Sequence, residues 1–211
     1  RVFLKRVAEH APLIEPLQAL DIRELPRARK GGGDAIPDTE WAALLKPALA
    51  GEDVGLLSEA GLPAVADPGA LLVAAAHRLG VVVEALAGAS SITLALAASG
   101  LNGQRFAFEG YLPQDAGSRA QRVRMLEARS QQEGQTQVVI ETPYRNPALL
   151  SALLSALRPG TRLGVACGLT SATGWCRTQS VAEWRQSVVR DSQDPGQSMP
   201  TDLPAIFMWL A

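Results

Sequence analysis

Short apolar runs alternate with helix-type segments in the first half of the chain, and this alternation restricts the fold more than any other feature. Residues 54–58 and 81–83 are apolar runs of strand length. Segments with helical spacing, 70–79 and 92–98, follow them and each ends at a glycine. Strands that alternate with helices predict a parallel sheet with helices packed on its faces, which is an α/β fold.

The second half of the chain continues this pattern. Apolar runs at 138–140, 163–167 and 204–210 predict strands. Leucines at helical spacing after Asn146 predict an apolar helix, and residues 181–189 predict another. Before them lies a predicted polar helix with four arginines, which are Arg119, Arg122, Arg124 and Arg129. These arginines could contact phosphate groups, but a solvated helix face is the favoured interpretation.

A connector at residues 108–113 divides the chain into regions of different charge. Residues 1–111 carry 10 basic and 13 acidic side chains, whereas residues 112–211 carry 10 basic and 8 acidic ones. The change coincides with a Gly/Pro break. We therefore predict two α/β domains, 1–111 and 112–211.

Composition excludes several classes of protein. The 20 basic and 21 acidic residues nearly cancel, so no overall field favours nucleic acid or membrane. The longest apolar stretch is about half of the ~20 residues that a spanning helix needs, and the start does not resemble a signal peptide. Two cysteines and two distant histidines do not have metal-site spacing. We expect a cytoplasmic protein without a metal site.

Two glycine-containing turns are candidate ligand sites, because each follows a predicted strand. Open α/β sheets bind ligands at the carboxyl ends of their strands. In the first turn, Ala60 and Gly61 would let a flat ligand approach the backbone. In the second, Ser90 and Ser91 stand at a predicted helix N-terminus, where hydroxyls and amides can bond polar ligand atoms. Ordinary strand-to-helix loops contain the same residue types, so this alternative stays open.

A third candidate site follows the predicted strand at 138–140. The segment 141–145 places a carboxylate, a hydroxyl, a phenol and a guanidinium together, starting with Glu141 and Thr142. A turn that only sets the entry of the next helix is the alternative. The glycine fingerprints of dinucleotide and phosphate-loop proteins are absent from the chain, as is the Gly-x-Ser-x-Gly elbow.

Four blocks of the sequence stand in the order of motifs known from one family. The blocks are Ser58-Glu59-Ala60-Gly61-Leu62-Pro63 with Asp67-Pro68-Gly69, Ala87-Gly88-Ala89-Ser90-Ser91, Phe108-Glu109-Gly110-Tyr111-Leu112-Pro113 and Glu141-Thr142-Pro143-Tyr144-Arg145. Through them the chain resembles the tetrapyrrole (corrin/porphyrin) methylase superfamily. It is most similar to the ribosomal RNA 2′-O-ribose methyltransferase branch, whose blocks read S-D-A-G-x-P-x-x-x-D-P-G, P-G-x-S-A, F-x-G-F-L-P and E-S-P-H-R.

The resemblance implies a class III methyltransferase: two α/β domains with S-adenosyl-L-methionine in a cleft between them, in a homodimer. By motif match, the residues that would contact the cofactor are Glu59, Ala60, Gly61, Ser90, Ser91, Thr142, Gly168 and Leu169. The family begins with a strand and a Gly/Pro loop that have no counterpart after Arg1. We therefore expect that part of the first domain is missing from this chain.

Methyl transfer is an in-line displacement that depends on alignment more than on an acid or a base. A hydroxyl acceptor also has to lose a proton, and Glu141 is the candidate catalytic carboxylate. The acceptor stays open between an RNA ribose and a tetrapyrrole-like small molecule. A non-catalytic protein that binds the cofactor is the alternative function. It is favoured by the neutral segment 167–173, where the ribosomal branch carries charged residues.

Overall fold

The structure of the chain is a computed structural model that describes residues 2–26, 36–59, 61–191 and 199–211, without the side chains of 188–191. Contacts divide it into two compact units, Arg1–Ala89 and Ser90–Ala211. We call them the N-terminal and C-terminal units. The domain boundary predicted between residues 111 and 112 falls inside the C-terminal unit and stays a prediction.

The N-terminal unit is helical in its described part. Its helices are α1 (Val2–Ala8), α2 (Asp38–Leu44), α3 (Lys46–Leu49) and α4 (Ala70–Arg78). Trp41 of α2 and Leu72 and Ala76 of α4 are buried against each other, because both helices place apolar residues on one stripe. An exposed ion pair of 2.7 Å between Asp38 and Arg78 joins the same two helices.

The strands predicted at residues 54–58 and 81–83 are wrong for this structure. Neither segment is a strand, and Val54, Leu57 and Val82 expose 43%, 58% and 91% of their surfaces. A strand requires a neighbour that pairs with its backbone. No described residue pairs with either segment in this way, so their apolar composition alone does not produce a strand.

The C-terminal unit contains a five-stranded mixed sheet. Its strands are β1 (Phe106–Tyr111), β2 (Thr136–Glu141), β3 (Arg162–Cys167), β4 (Trp175–Ser180) and β5 (Ala205–Leu210). The order is β1-β2-β5-β3-β4; β1 and β2 are parallel, and every other pair is antiparallel. Because β5 runs against both its neighbours, β1, β2 and β3 share one direction. Their carboxyl ends therefore lie at one edge of the sheet, which we call the carboxyl edge.

Helices cover both faces of this sheet. They are α5 (Ser91–Ser99), α6 (Ala116–Glu133), α7 (Asn146–Ala156) and α8 (Val181–Asp191), with a 3-10 turn at Pro143–Arg145. One face packs Val139 and Phe207 against α6, α7 and α8, and the other packs Val138 and Met208 against α5. Alternate residues of each strand thus enter two different cores. None of the described helices has the length and apolar character to cross a membrane.

The structure confirms the α/β fold class and the elements predicted from 138 onward. The predicted parallel sheet is wrong, because β5 lies between β2 and β3 in the opposite direction and three of the four strand pairs are antiparallel. Two further details differ. The predicted connector at 108–113 overlaps β1, an edge strand with a glycine bulge at Gly110. Strand β4 was not predicted; its residues are largely polar, and it is the outermost strand on the side of the sheet away from β1. Edge strands need only one partner and are partly exposed, so they do not show the apolar run of a buried strand.

Candidate functional site

The carboxyl edge brings two of the predicted site segments together. Glu141, at the end of β2, and Cys167, at the end of β3, both pair with Ala205 of β5. Thr142 and Gly168 are the next residues of their chains, so they leave the sheet at the same edge, on either side of one strand. The structure therefore joins two motifs that the sequence analysis could only treat separately.

The predicted serines lie at this edge as well. The chain after α5 reaches the amino ends of β1, β2 and β3, opposite to the carboxyl edge. There the Thr136 hydroxyl donates to the Asn102 carbonyl oxygen at 2.9 Å. Helix α5 therefore begins toward the carboxyl edge. Leu169 packs against the apolar cluster that contains Ile92, the residue after Ser91. Ser90 is buried at the N-cap, whereas Ser91 is exposed in the first turn.

The Glu141 carboxylate is buried and already engaged. Its Oε1 accepts hydrogen bonds from the Thr142 backbone N–H at 2.8 Å and from the Thr142 hydroxyl at 3.2 Å. Its Oε2 lies 3.3 Å from the Arg145 guanidinium. By strand alternation the side chain is on the face of α6 and α7, opposite to α5. In this conformation Glu141 fixes the position of Thr142.

The turn between β3 and β4 requires glycine at two positions. Gly168 has φ +57° and donates its N–H to the Pro204 carbonyl oxygen at 2.9 Å. Its own carbonyl accepts from the N–H and the hydroxyl of Ser171. A Cβ on Gly174 would lie 2.3 Å from the Gly168 oxygen, which no side chain allows. Thr170 is also left-handed, at φ +73°. This closely packed backbone gives Leu169 a defined position.

Asn146 is a residue of this edge that the sequence analysis treated only as the start of a helix. It is buried, and its amide nitrogen donates to the carbonyl oxygens of Leu203 at 2.8 Å and of Pro200 at 3.2 Å. Asn146 thereby fixes the chain that leads into β5. The only signal in the sequence is a polar residue directly after the 141–145 block, and its partners are more than fifty residues away.

In the N-terminal unit, the two predicted turns meet at Gly61. A Cβ on Gly61 would be 3.7 Å from the Ala89 carbonyl oxygen, and Gly61 has φ +135°. Glu59 is exposed beside it, and the predicted contact Ala60 lies outside the described residues. The glycines of the first motif and the small residues of the second are therefore neighbours.

The backbone of the second turn is accessible to a ligand. Residues 84–89 are exposed, and no atom lies within 4 Å of the position of a Cβ on Gly88. Within the described part of the chain, the N–H groups of residues 82–89 donate no hydrogen bond. A flat polar ligand could therefore approach this backbone closely and form hydrogen bonds with the free N–H and C=O groups of the turn.

The arginines of α6 are largely used within the protein. Arg122 and Arg129 bind the two carboxylate oxygens of Glu109 at 2.6 and 2.8 Å. Arg119 donates to the Gln114 carbonyl oxygen. Arg124 is exposed and has no hydrogen bond or ion pair to another described residue. Arg119 and Arg124 are thus the two arginines of this helix without an ion pair to a described residue.

The cysteine at the carboxyl edge is suited to packing. Burial raises the pKa of the Cys167 thiol, and the nearby Asp202 carboxylate adds to this effect. Burial also raises the pKa of Cys176. A thiol with a raised pKa is poorly nucleophilic near neutral pH, so the arrangement supplies no activated cysteine.

Comparison with protein families gives a match over most of the chain. Residues 4–183 match the family described as Tetrapyrrole (Corrin/Porphyrin) Methylases. This region includes the four motif blocks and parts of both units.

Curated relatives are named Ribosomal RNA small subunit methyltransferase I. The protein from Pseudomonas aeruginosa is 35% identical over 142 residues, which are 67% of this chain and 49% of the relative. The protein from Xylella fastidiosa is 40% identical over 89 residues, 42% of this chain and 33% of the relative. The aligned chain therefore spans half or less of these relatives.

A solved structure supports the fold. The methyltransferase CobJ superposes with a TM-score of 0.50 and 16% identity, over 88% of this chain and 77% of CobJ. At this identity the similarity concerns the fold alone.

Proposed function

Because the chain belongs to the tetrapyrrole (corrin/porphyrin) methylase family, we propose that it is an S-adenosylmethionine-dependent methyltransferase whose acceptor is ribosomal RNA. The observation that carries this proposal is the carboxyl edge, where residues of three separate motifs converge. Glu141 and Thr142, Gly168 and Leu169, and the start of α5 all lie there.

The residues present fit S-adenosylmethionine, which supplies an electrophilic methyl group when bound. Gly61 and the exposed backbone of 84–89 leave space for an adenosine and offer N–H and C=O groups to it. In the C-terminal unit taken by itself, Ser91 and Thr142 offer hydroxyls and Leu169 offers an apolar side chain. The predicted cofactor contacts are therefore kept as our proposal, with Glu59 as an exposed carboxylate able to accept hydrogen bonds from ribose hydroxyls.

The reaction depends chiefly on alignment. We assign to the Gly168 turn and to Thr142 the task of fixing the reacting groups. A ribose hydroxyl must also lose its proton, for which Glu141 is our candidate. Since its oxygens bind Thr142 and Arg145, Glu141 would have to exchange one of these contacts for the acceptor. If it does not, it acts as a positioning residue.

The names of the curated relatives support ribosomal RNA as the acceptor, and that acceptor supports a cytoplasmic location. A second candidate, binding of the cofactor without catalysis, is favoured by residues 170–174, which are exposed and uncharged. The family resemblance further implies a homodimer, which sedimentation equilibrium of the chain would test.

Two measurements on the full chain test this proposal. Calorimetric titration with S-adenosylmethionine and S-adenosylhomocysteine should detect binding of both, and the absence of binding overturns the proposal. Incubation with cofactor labelled in the methyl group and ribosomal RNA should then transfer label to RNA. Label in a small-molecule fraction of cell extract instead would correct the acceptor. Binding without any transfer would establish the non-catalytic function.

A further inference from the structure

Asn146 connects the start of α7 to the chain before β5 through two hydrogen bonds. Both donors of its amide group are used, on the carbonyl oxygens of Pro200 and Leu203. Asn146 has no exposed surface, so water does not compete for these bonds. Such buried amide-to-carbonyl bonds restrict the conformations of the loop they hold.

The loop held by Asn146 is in turn bound to the Gly168 turn. Pro204 accepts the Gly168 N–H at 2.9 Å. The Leu203 Cδ1 atom lies 3.0 Å from the position that a Cβ atom on Gly168 would take. The contacts therefore run from Asn146 through Leu203 and Pro204 to Gly168.

The amide group of Asn146 is satisfied on its donor side only. Its Oδ1 atom is buried and has no hydrogen-bond partner among the described residues. A buried acceptor without a partner is unfavourable, and this cost accompanies the two hydrogen bonds that the amide nitrogen donates. An asparagine at this position therefore indicates that the geometry of its two donors is needed.

We propose that Asn146 is a positioning residue, which sets the backbone of Gly168 and Leu169 for cofactor binding by holding the 200–204 loop. This inference rests on the proposed function, because it takes Gly168 and Leu169 as contacts of S-adenosylmethionine. Asn146 itself touches neither cofactor nor acceptor in this proposal.

The test compares Asn146→Leu with Asn102→Leu in the full chain. Asn102 is a matched control because its amide also holds a loop, by donating to the Gly134 carbonyl oxygen at 2.8 Å. It lies at the amino end of β2, away from the carboxyl edge. Three properties are measured: the melting temperature, the hydrogen exchange of the Gly168 amide, and the affinity for S-adenosylhomocysteine.

For Asn146→Leu we expect a lower melting temperature, because the carbonyl oxygens of Pro200 and Leu203 lose their donor. The Gly168 amide should exchange about tenfold faster, while amides inside β3 and β5 keep their protection. Affinity for S-adenosylhomocysteine should fall about tenfold. Asn102→Leu should also lower the melting temperature, because the Gly134 carbonyl oxygen loses its donor, but it should change neither Gly168 exchange nor affinity. A residue that only stabilises the fold would behave like Asn102 in this comparison.

Unchanged exchange at Gly168, or faster exchange with unchanged affinity, overturns the inference. If the unsubstituted chain binds no S-adenosylhomocysteine, the proposed function fails, and the Gly168 exchange still decides whether Asn146 holds the turn. If Asn146→Leu does not fold, Asn146→Asp replaces it. Its carboxylate keeps the shape but repels the two carbonyl oxygens, so a lower melting temperature, faster Gly168 exchange and weaker affinity are expected again.

Discussion

Gly61 lies beside Ala89, so that a Cβ atom on Gly61 would be 3.7 Å from the Ala89 carbonyl oxygen. The two residues belong to different motifs of the sequence, and their contact joins the first turn to the second within the N-terminal unit. The distance is an ordinary van der Waals contact. A methyl group therefore fits, but it occupies the space through which a ligand would reach this backbone.

Gly61→Ala is expected to lower both stability and cofactor affinity. With φ +135°, the backbone of Gly61 is strained by any side chain, at a cost of about 1–2 kcal/mol. Gly51 has φ +90° and nothing within 4 Å of its Cβ position, so Gly51→Ala is the control for backbone strain alone. Urea unfolding should show a loss for both variants, and calorimetry weaker S-adenosylhomocysteine binding for Gly61→Ala only. Equal affinities would place the cofactor elsewhere.

Ser91→Tyr is expected to prevent cofactor binding. Ser91 is exposed in the first turn of α5, so a tyrosine there fills the adjacent space without entering a core. Ser118→Tyr, in the exposed first turn of α6, is the matched control. We expect at least a ~10-fold loss of affinity at Ser91 and none at Ser118. An unchanged Ser91→Tyr affinity would contradict the assignment of this serine.

Glu141→Gln distinguishes a base from a positioning residue. If the carboxylate takes the proton of the acceptor, the methyl-transfer rate should fall about 100-fold or more, with little change in cofactor affinity. Glu109→Gln also removes a carboxylate paired with arginines, but Glu109 lies in β1, the outermost strand on its side of the sheet, and is partly buried, so this variant should keep the rate. A variant that loses affinity and keeps its rate would identify Glu141 as a positioning residue.

Glu127→Ala is expected to destabilise the C-terminal unit by about 2–4 kcal/mol. The buried carboxylate accepts from the Thr161 hydroxyl at 2.5 Å and from the Arg158 N–H at 2.8 Å, and alanine leaves both donors without a partner. Glu133→Ala, which removes an exposed carboxylate 3.7 Å from Arg129, should cost well under about 1 kcal/mol. Denaturant unfolding measures the free energy of unfolding of both variants. Similar losses for the two would show that the hydrogen bonds of Glu127 do not stabilise the unit more than an exposed ion pair does.

Ser180→Ala should destabilise the start of α8 at neutral pH, by about 1 kcal/mol for a lost N-cap. Ser180 and Glu183 bond each other reciprocally as a capping box. These hydrogen bonds, that of the Ser180 side chain first, hold the pKa of Glu183 below its usual range. A carboxyl with a lowered folded-state pKa stabilises the fold above its ordinary pKa and loses that contribution as pH falls through the lowered value.

The difference in stability between the unsubstituted chain and Ser180→Ala should therefore shrink as pH falls below the ordinary glutamate value of about 4.3. Urea unfolding at neutral and acidic pH measures it. Ser187→Ala, within the same helix and bonded only to carbonyl oxygens of the preceding turn, is the control and should show no such trend. A pH-independent difference would contradict the role of Glu183.

The sequence predicted the elements whose apolar pattern is local. The leucines of α7, the inward Val123 and Leu126 of α6, and the runs of β2, β3 and β5 all lie in the cores that their spacing indicates. A buried stripe or a buried strand requires apolar residues at each contact, so this information is present within a few residues of chain.

Only the tertiary structure decided which segments meet. It placed β5 between β2 and β3 in the antiparallel sense, left residues 54–58 and 81–83 without a strand partner, and bonded Asn146 to Leu203. The sequence by itself determined the family motifs and the apolar faces. It did not determine pairing, because a backbone hydrogen bond depends on a partner distant in the chain, and the residue types on either side carry little record of that partner.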